Sequence, residues 1–436
     1  MKKSISSRSF KLLGLAASLG RKEITQTLKE QFAKGVDEIA SGRLKNRIDQ
    51  ARMLTEQLSQ LKGAAMKAGQ LLSLDAGDYF PPEAVEILSK LQGKAEPVPW
   101  DELRTVIEGD LGEEKIAQFE TLSIEPSASA SIGQVHRGRL RGRDVAIKIQ
   151  YPGVADSVES DLKILKTVAQ SLLTLTGRRI DLDELFLELA IVLKQEADYT
   201  LELANMKEYG TYLAGDDDFA VPVPIESHSS RRVLTMTWES GQTLNDWLKT
   251  KPSIEDRTRI GKRLLDLYTR EFWDWGFVQT DPNYGNFLIR SNPLKLVILD
   301  FGATLRYPME FRREYRELLL AMGTGDPRKI VEISIAQGLI DERESAETKR
   351  KLADMMLLSL EPFSPEKQPF AFKNEDYARR TREVIQDFTQ SLKYSPPPRR
   401  VLFLHRKLGG VFAFLKRLDV ELDMAPYWDR MVHKTL

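Results

Sequence analysis

QTDPNYGNFLIRSNPLKLVILDFG, residues 279–302, is the stretch on which the fold turns. Its LKLVIL segment, residues 294–299, is a short continuous apolar run of the kind that forms a buried strand. Asp300 stands at the end of that strand, followed by Phe301 and Gly302. Upstream, Asp281 and Asn286 are five apart in a polar turn that contains Pro282 and Gly285. Asp300 lies 19 residues beyond Asp281, which leaves room for one strand pair between them.

The D-x-x-x-x-N spacing followed by DFG is the pattern of a phosphoryl-transfer loop and its metal-holding segment. In that chemistry Asp281 accepts a proton from the substrate hydroxyl or positions the nucleophile. Asn286 and Asp300 hold Mg²⁺ that bridges the phosphates of ATP or ADP. Two further elements precede the loop in the order this chemistry requires. VAIK places Lys148 on a strand, with Ala146 on the same face and Val145, Ile147 and Ile149 on the other. A small residue beside an ammonium suits an adenine ring and its phosphates. Glu202 follows 54 residues later on a predicted helix, where a carboxylate can orient that lysine. Taken singly, a strand lysine and a helical glutamate are ordinarily solvated surface residues. Taken in order, the four elements point to a nucleotide site with Asp281, Lys148 and Glu202 as its catalytic residues.

The pattern also departs from the usual one. SASASIGQV, residues 127–135, replaces a glycine-rich phosphate loop, with Gly133 its one glycine. Ala128, Ser129, Ala130 and Ser131 keep backbone N–H donors but restrict the conformations that wrap a phosphate. The expectation is altered nucleotide handling and slow transfer. Gln279 and Thr280 stand where a His-Arg pair is usual, and no A-P-E follows DFG. Helix-like sequence begins near Pro308, so a peptide-docking platform is not expected.

Around this centre the chain reads as three regions. The helix predicted over 46–74 carries a stripe of Leu54, Leu58, Leu61, Ala65 and Leu72. A short helix over 83–92 follows Pro81 and Pro82, and EPVP closes the helical extension, residues 1–99. Residues 100–237 form a strand-rich lobe. Strands 131–140 and 143–150 make a hairpin about Arg141–Arg143, helices span 154–176 and 181–209, and short strands return over 219–238. Residues 238–436 form a helical lobe that starts with an amphipathic helix over 254–275 through Ile260, Leu264, Tyr268, Phe272 and Trp275. SPPP at Ser395–Pro398 interrupts its later helices.

Composition narrows the function classes. The 436 residues include 64 Lys plus Arg and 64 Asp plus Glu, which gives no support to a whole-protein nucleic-acid binder. There is no cysteine, and the four histidines are far apart in sequence, so thiolate chemistry and a His-rich metal site are not expected. The longest apolar run, Leu12–Gly20, has nine residues, against roughly 20 for a membrane-spanning helix. Basic residues flank that run. They suit either a helix lying on an anionic bilayer or an ordinary frayed or packed terminal helix, and fit a signal peptide less well, since Lys11 abuts the run and no clear cleavage site ends it.

These residues together resemble the UbiB/AarF family of atypical protein-kinase-like proteins, which is linked to ubiquinone and other isoprenoid-lipid metabolism. The resemblance runs from about residue 45 to near the C-terminus. It rests on KAGQ at Lys67–Gln70, ASASIGQVH, VAIKIQYPGV and EADYTLELAN. It implies an α+β, two-lobed protein-kinase-like fold whose N-terminal helical extension packs over the active site. It also implies that Lys67 and Gln70 face the nucleotide near the E-x-D pair, Glu196 and Asp198. The expected activity is that of an ATP-binding atypical kinase, either an ATPase or a small-molecule or lipid phosphotransferase in isoprenoid-quinone (ubiquinone) biosynthesis. A prenyl-lipid or quinone-precursor ligand is implied. The expected setting is cytoplasmic, with any membrane contact peripheral and at the inner face. Two alternatives stay open. An aminoglycoside-phosphotransferase-type kinase shares the loop but gives KAGQ no role. A nucleotide-gated scaffold or lipid chaperone would suit the Ala-rich segment and the occluding extension.

Overall fold

A computed structural model describes residues 98–130, 132–175, 182–281, 283–395 and 399–433. The expected helices over 46–74 and 83–92, the basic N-terminal segment, Lys67, Gln70 and Ser131 lie outside the described residues. The chain divides into two compact units, Met1–Asp198 with Ser227–Thr235, and Tyr199–Glu226 with Met236–Leu436.

The first unit opens with α1 (Trp100–Leu111), which the sequence reading did not single out. Its buried Leu103, Val106, Ile107 and Leu111 recur at three- and four-residue steps, so one stripe packs inward, against β3. After the short α2 (Glu113–Ile116) the chain forms an antiparallel meander of β1 (Phe119–Ser129), β2 (Gly133–Leu140) and β3 (Arg143–Gln150). Arg141 and Gly142 take φ values of 51° and 73°, the paired left-handed conformations of a two-residue hairpin turn. The predicted hairpin is therefore present, with its first strand starting at Gly133. Val145 through Gln150 are all buried, so β3 is covered on both sides, including the face that carries Ala146 and Lys148. α3 (Val154–Leu175) and α4 (Asp183–Glu196) follow.

The single helix expected over 181–209 is two. α4 ends at Glu196, and α5 (Tyr199–Tyr212) restarts after Asp198, a residue type that favours helix starts. α5 belongs to the second unit, as do β4 (Phe219–Ala220) and the end of β5 (Val233–Thr237), whose first residues complete the first unit's sheet in the order β1-β2-β3-β5.

In the second unit, β6 (Gln242–Thr243) and α6 (Leu244–Lys249) precede α7 (Ile254–Thr269), which is N-capped by Ser253. The helix expected to run to Trp275 changes to a π-turn over Arg270–Trp275 and stops at Gly276. The wider turn shifts the inward face. Phe272 remains buried as predicted, but Glu271 and Trp273 are also buried and Trp275 is only half-buried. Next come β7 (Phe277–Gln279), β8 (Phe287–Ser291), β9 (Leu294–Ile298) and β10 (Thr304–Arg306). β7 pairs with β10, and β4-β9-β8-β6 form a second four-stranded sheet with β4 parallel to β9. Helices α8 (Met309–Gly323), α9 (Pro327–Ala336), α10 (Ala346–Ser359), α11 (Glu375–Ser391), α12 (Arg399–Leu418) and α13 (Ala425–His433) fill the remainder. β11 (Phe370–Ala371) and β12 (Glu421–Leu422) form a small antiparallel pair that the helical reading did not anticipate. No helix among the described residues is long and apolar enough to cross a membrane.

Candidate active site

The β-meander aligns the first unit's share of the predicted residues. Val135 pairs with Ala128 on one side and Lys148 on the other, so the three lie in one row across β1, β2 and β3. Ala146, two residues from Lys148, shares that face. Lys148 is 7% exposed, which overturns the ordinary expectation of a solvated strand lysine. The Ala-rich segment is a hairpin rather than an open loop. Ala128 and Ser129 are the last residues of β1, and the Ala130 amide donates to the Gly133 carbonyl at 2.8 Å, inside the turn. Glu196 is buried and Asp198 half-buried on the stretch linking α4 to α5. Gln150 at the end of β3 reaches that stretch, its Nε2 donating to the Ala197 carbonyl at 3.0 Å. Asp198 lies 3.6 Å from Arg231.

The second unit holds Glu202, Asp281, Asn286 and Asp300. Two short pairings set where the last three stand. Thr280 donates both its amide and its hydroxyl to the Ala303 carbonyl, at 2.8 and 2.9 Å, which staples the segment before Asp281 to the segment after DFG. The Leu299 amide donates to the Asn286 carbonyl at 2.9 Å, extending the β8–β9 ladder so that Asn286 lies beside the residue preceding Asp300. The loop between is a chain of polar turns. Asp281 Oδ1 accepts from the Asn283 amide at 3.3 Å, and Asn283 Oδ1 accepts from the Gly285 amide at 2.9 Å. Asn286, 8% exposed, turns its Nδ2 toward the Asp281 carbonyl at 3.5 Å. Asp300 is half-buried, and its Oδ1 accepts the Gly302 amide at 2.9 Å.

α5 is fastened to this centre. Asn205 donates to the Phe301 carbonyl at 3.0 Å, and Tyr209 packs its ring 4.9 Å from that of Phe301. Glu202, 2% exposed, lies one turn before Asn205 on the same helix. The Tyr209 hydroxyl accepts from the Gln279 amide at 2.7 Å and donates to Glu271 Oε1 at 2.9 Å. Burial and the neighbouring Glu271 carboxylate push the phenol well above its ordinary pKa. Burial likewise pushes the Glu271 carboxyl up, while Lys407 and Tyr209 draw it part of the way back.

Sequence reading missed Asn205, Tyr209, Glu271, Arg406 and Lys407. Asn205 sits inside EADYTLELAN and was within reach. Glu271 was hidden by the π-turn. Arg406 and Lys407 lie in an amphipathic helix more than a hundred residues from the loop, and nothing local marks them.

Asn286 and Asp300 offer an amide oxygen and a carboxylate, hard donors suited to Mg²⁺. Among the described residues no cluster of three or more His, Cys, Asp or Glu could hold a metal by itself. A cation here would therefore complete its shell from phosphate oxygens and water, which is the habit of Mg²⁺ at nucleotide sites.

Comparison with known proteins identifies the family and the fold. The ABC1 atypical kinase-like domain matches residues 90–334. The atypical kinase COQ8 of Saccharomyces cerevisiae mitochondria is 32% identical over 96% of this chain and 83% of its own length. Its Schizosaccharomyces pombe counterpart is 32% identical over 94% of this chain, which spans 66% of that protein. Among solved structures, the complex of Rv3197 with erythromycin from Mycobacterium tuberculosis is 26% identical, with a TM-score of 0.59 over 88% of this chain and 96% of that one. With its motifs in their expected order on a kinase-like α+β fold, the chain belongs to the ABC1 atypical kinase-like family, the UbiB/AarF family that its sequence resembles.

Proposed function

We propose that this protein binds ATP with Mg²⁺ and either hydrolyses it or transfers its phosphoryl group to a small or lipid molecule in isoprenoid-quinone biosynthesis. The observation that carries this reading is the stapling of two polar segments. Thr280 to Ala303 and Leu299 to Asn286 bring Asp281, Asn286 and Asp300 onto adjoining backbone. In this reading Asp281 takes the acceptor's proton or orients a water. Asn286 and Asp300 would hold the metal, which when bound neutralises phosphate charge. Lys148 contacts the phosphates, with Glu202 as its orienting carboxylate. Ala146 lies against the base, and Ala128 and Ser129 border the phosphates from the end of β1. Family resemblance assigns Glu196 and Asp198 to nucleotide binding, and with them Lys67 and Gln70, which lie outside the described residues. Kinship with the COQ8 atypical kinases supports both the nucleotide and the pathway. A prenylphenol-like lipid is the acceptor or activator, reached by peripheral contact with a membrane.

The test is metal-dependent ATP turnover by the wild type, Asp281→Asn and Asp300→Asn, each with and without prenylphenol-like lipid in detergent. Either substitution should lower turnover by about 100-fold or more, as loss of a positioned acid–base or metal group does. Full metal-dependent turnover by both variants would overturn the assignment.

A further inference from the structure

α12 lies beyond residues 90–334, the span matched by the family domain, yet it enters the candidate site. Two successive residues do so. Arg406 brings Nη2 to 3.2 Å from Asp281 Oδ1, and both side chains are nearly inaccessible, at 4% and 9%. Lys407 donates to Gln279 Oε1 at 2.9 Å and stands 3.3 Å from Glu271 Oε2. Gln279 and Asp281 are two apart on either side of Thr280, so in an extended stretch they address the same side. Adjacent helical residues diverge by about 100°. One cation therefore reaches each member of the pair. The Asn283 amide and Arg406 converge on the same oxygen of Asp281, which fixes how the carboxylate is turned.

We propose that Arg406 is a positioning residue for Asp281. From a helix outside the matched domain, it holds the loop carboxylate in its working orientation, while Lys407 holds the strand that leads into the loop. A guanidinium suits the task. Its planar fork fixes direction as well as distance. Without the guanidinium, Asp281 would lose one of the donors that fix its Oδ1, and the carboxylate could turn. The inference rests on the proposed role of Asp281 and names a residue that role does not require.

The experiment uses the full chain. ATP turnover is measured with Mg²⁺ for the wild type, Arg406→Gln, Arg406→Lys and Asp281→Asn. Arg406→Gln should lower kcat about 10- to 100-fold, since small misplacements of a reacting group cost that much, while KM for ATP moves less than threefold. Arg406→Lys, which keeps the charge, should recover at least a third of the lost activity on a logarithmic scale. Thermal unfolding without nucleotide or metal supplies a readout independent of activity. Arg406→Gln should lower the midpoint in the wild type by several degrees more than in Asp281→Asn. If Asp281→Asn is inactive but Arg406→Gln keeps kcat within twofold, the inference fails alone. Additive midpoint shifts would also overturn it. If Asp281→Asn turns over ATP like the wild type, it is the proposed catalytic role of Asp281 that fails.

Discussion

Asn205 donates from Nδ2 to the carbonyl of Phe301 at 3.0 Å, tying the helix that carries Glu202 to the segment that carries Asp300. The bond crosses 96 residues of sequence. It places one member of EADYTLELAN in direct contact with DFG. Leucine at 205 keeps the branched shape and the number of heavy atoms and removes the donor. Asn205→Leu should cost about 1–2 kcal/mol in denaturant unfolding, the worth of a part-buried hydrogen bond whose acceptor is left behind. It should also lower ATP turnover about tenfold through misplacement of the reacting groups. Wild-type turnover in a folded variant would show that this tie is structural only.

The buried Lys407–Glu271 pair makes a second prediction. Lys407 is 2% exposed and Glu271 is fully buried. Lys407→Met should cost about 3–5 kcal/mol, because it leaves a buried carboxylate without its countercharge. Burial already raises the Glu271 pKa, so the variant's carboxyl should take up a proton at still higher pH. Adding Glu271→Gln removes the charge and keeps an acceptor for Tyr209. The double variant should recover at least half of the lost stability, read as the guanidinium midpoint. No recovery would mean that Lys407 acts through its hydrogen bond to Gln279 rather than through the Glu271 charge.

Local chemistry explains which parts of this protein could be read in advance. The β2–β3 turn announced itself through Arg141–Gly142, since few sequences accept two successive positive φ values. VAIK, D-x-x-x-x-N and DFG are contiguous signals, and each fell on the strand or turn expected. The α4–α5 break was missed because both flanks are good helix formers and only Asp198 marks the boundary. The π-turn was missed because a period of 3.6 residues fits Ile260 through Phe272 without it. Arg406 was out of reach for another reason. Its meaning comes from a contact 125 residues away in the chain, and helix periodicity carries no information about partners.

Gly276 ends the π-turn with φ of 61°, immediately before β7 leads to the loop. A β-carbon there would stand 2.6 Å from the Tyr307 carbonyl oxygen and 3.1 Å from the Arg312 guanidinium. The Tyr307 amide donates to the Gly276 carbonyl at 2.8 Å, which holds the two backbone segments together at this point. Gly276→Ala should therefore destabilise by about 2–4 kcal/mol, from strain and overpacking together. Unfolding monitored by tryptophan fluorescence reads it directly, with Trp273 and Trp275 on the turn itself. A change below about 0.5 kcal/mol, the size of an ordinary surface substitution, would mean the turn relaxes.

Glu344 supplies the pH-dependent prediction. Its carboxylate is 4% exposed and accepts from the amides of Lys393, Tyr394 and Ser395 and from the Ser395 hydroxyl, with every one of these donors reaching Oε1. These bonds hold the end of α11 to the segment ahead of α10. Burial alone would raise the Glu344 pKa, but the amides outweigh it and hold the carboxyl below its ordinary 4.5. A depressed carboxyl contributes stability that is fully present above its unfolded pKa and is lost as the pH falls through the folded value. Glu344→Gln keeps an acceptor but loses the charge that strengthens the bonds. At pH 7 it should cost about 2–3 kcal/mol. Below pH 4.5 the gap between wild type and variant should narrow as the wild-type carboxylate protonates. Chemical denaturation at pH 7, 5, 4 and 3 follows that gap. A constant difference across the series would mean that the charge of Glu344 contributes nothing and that only its shape matters.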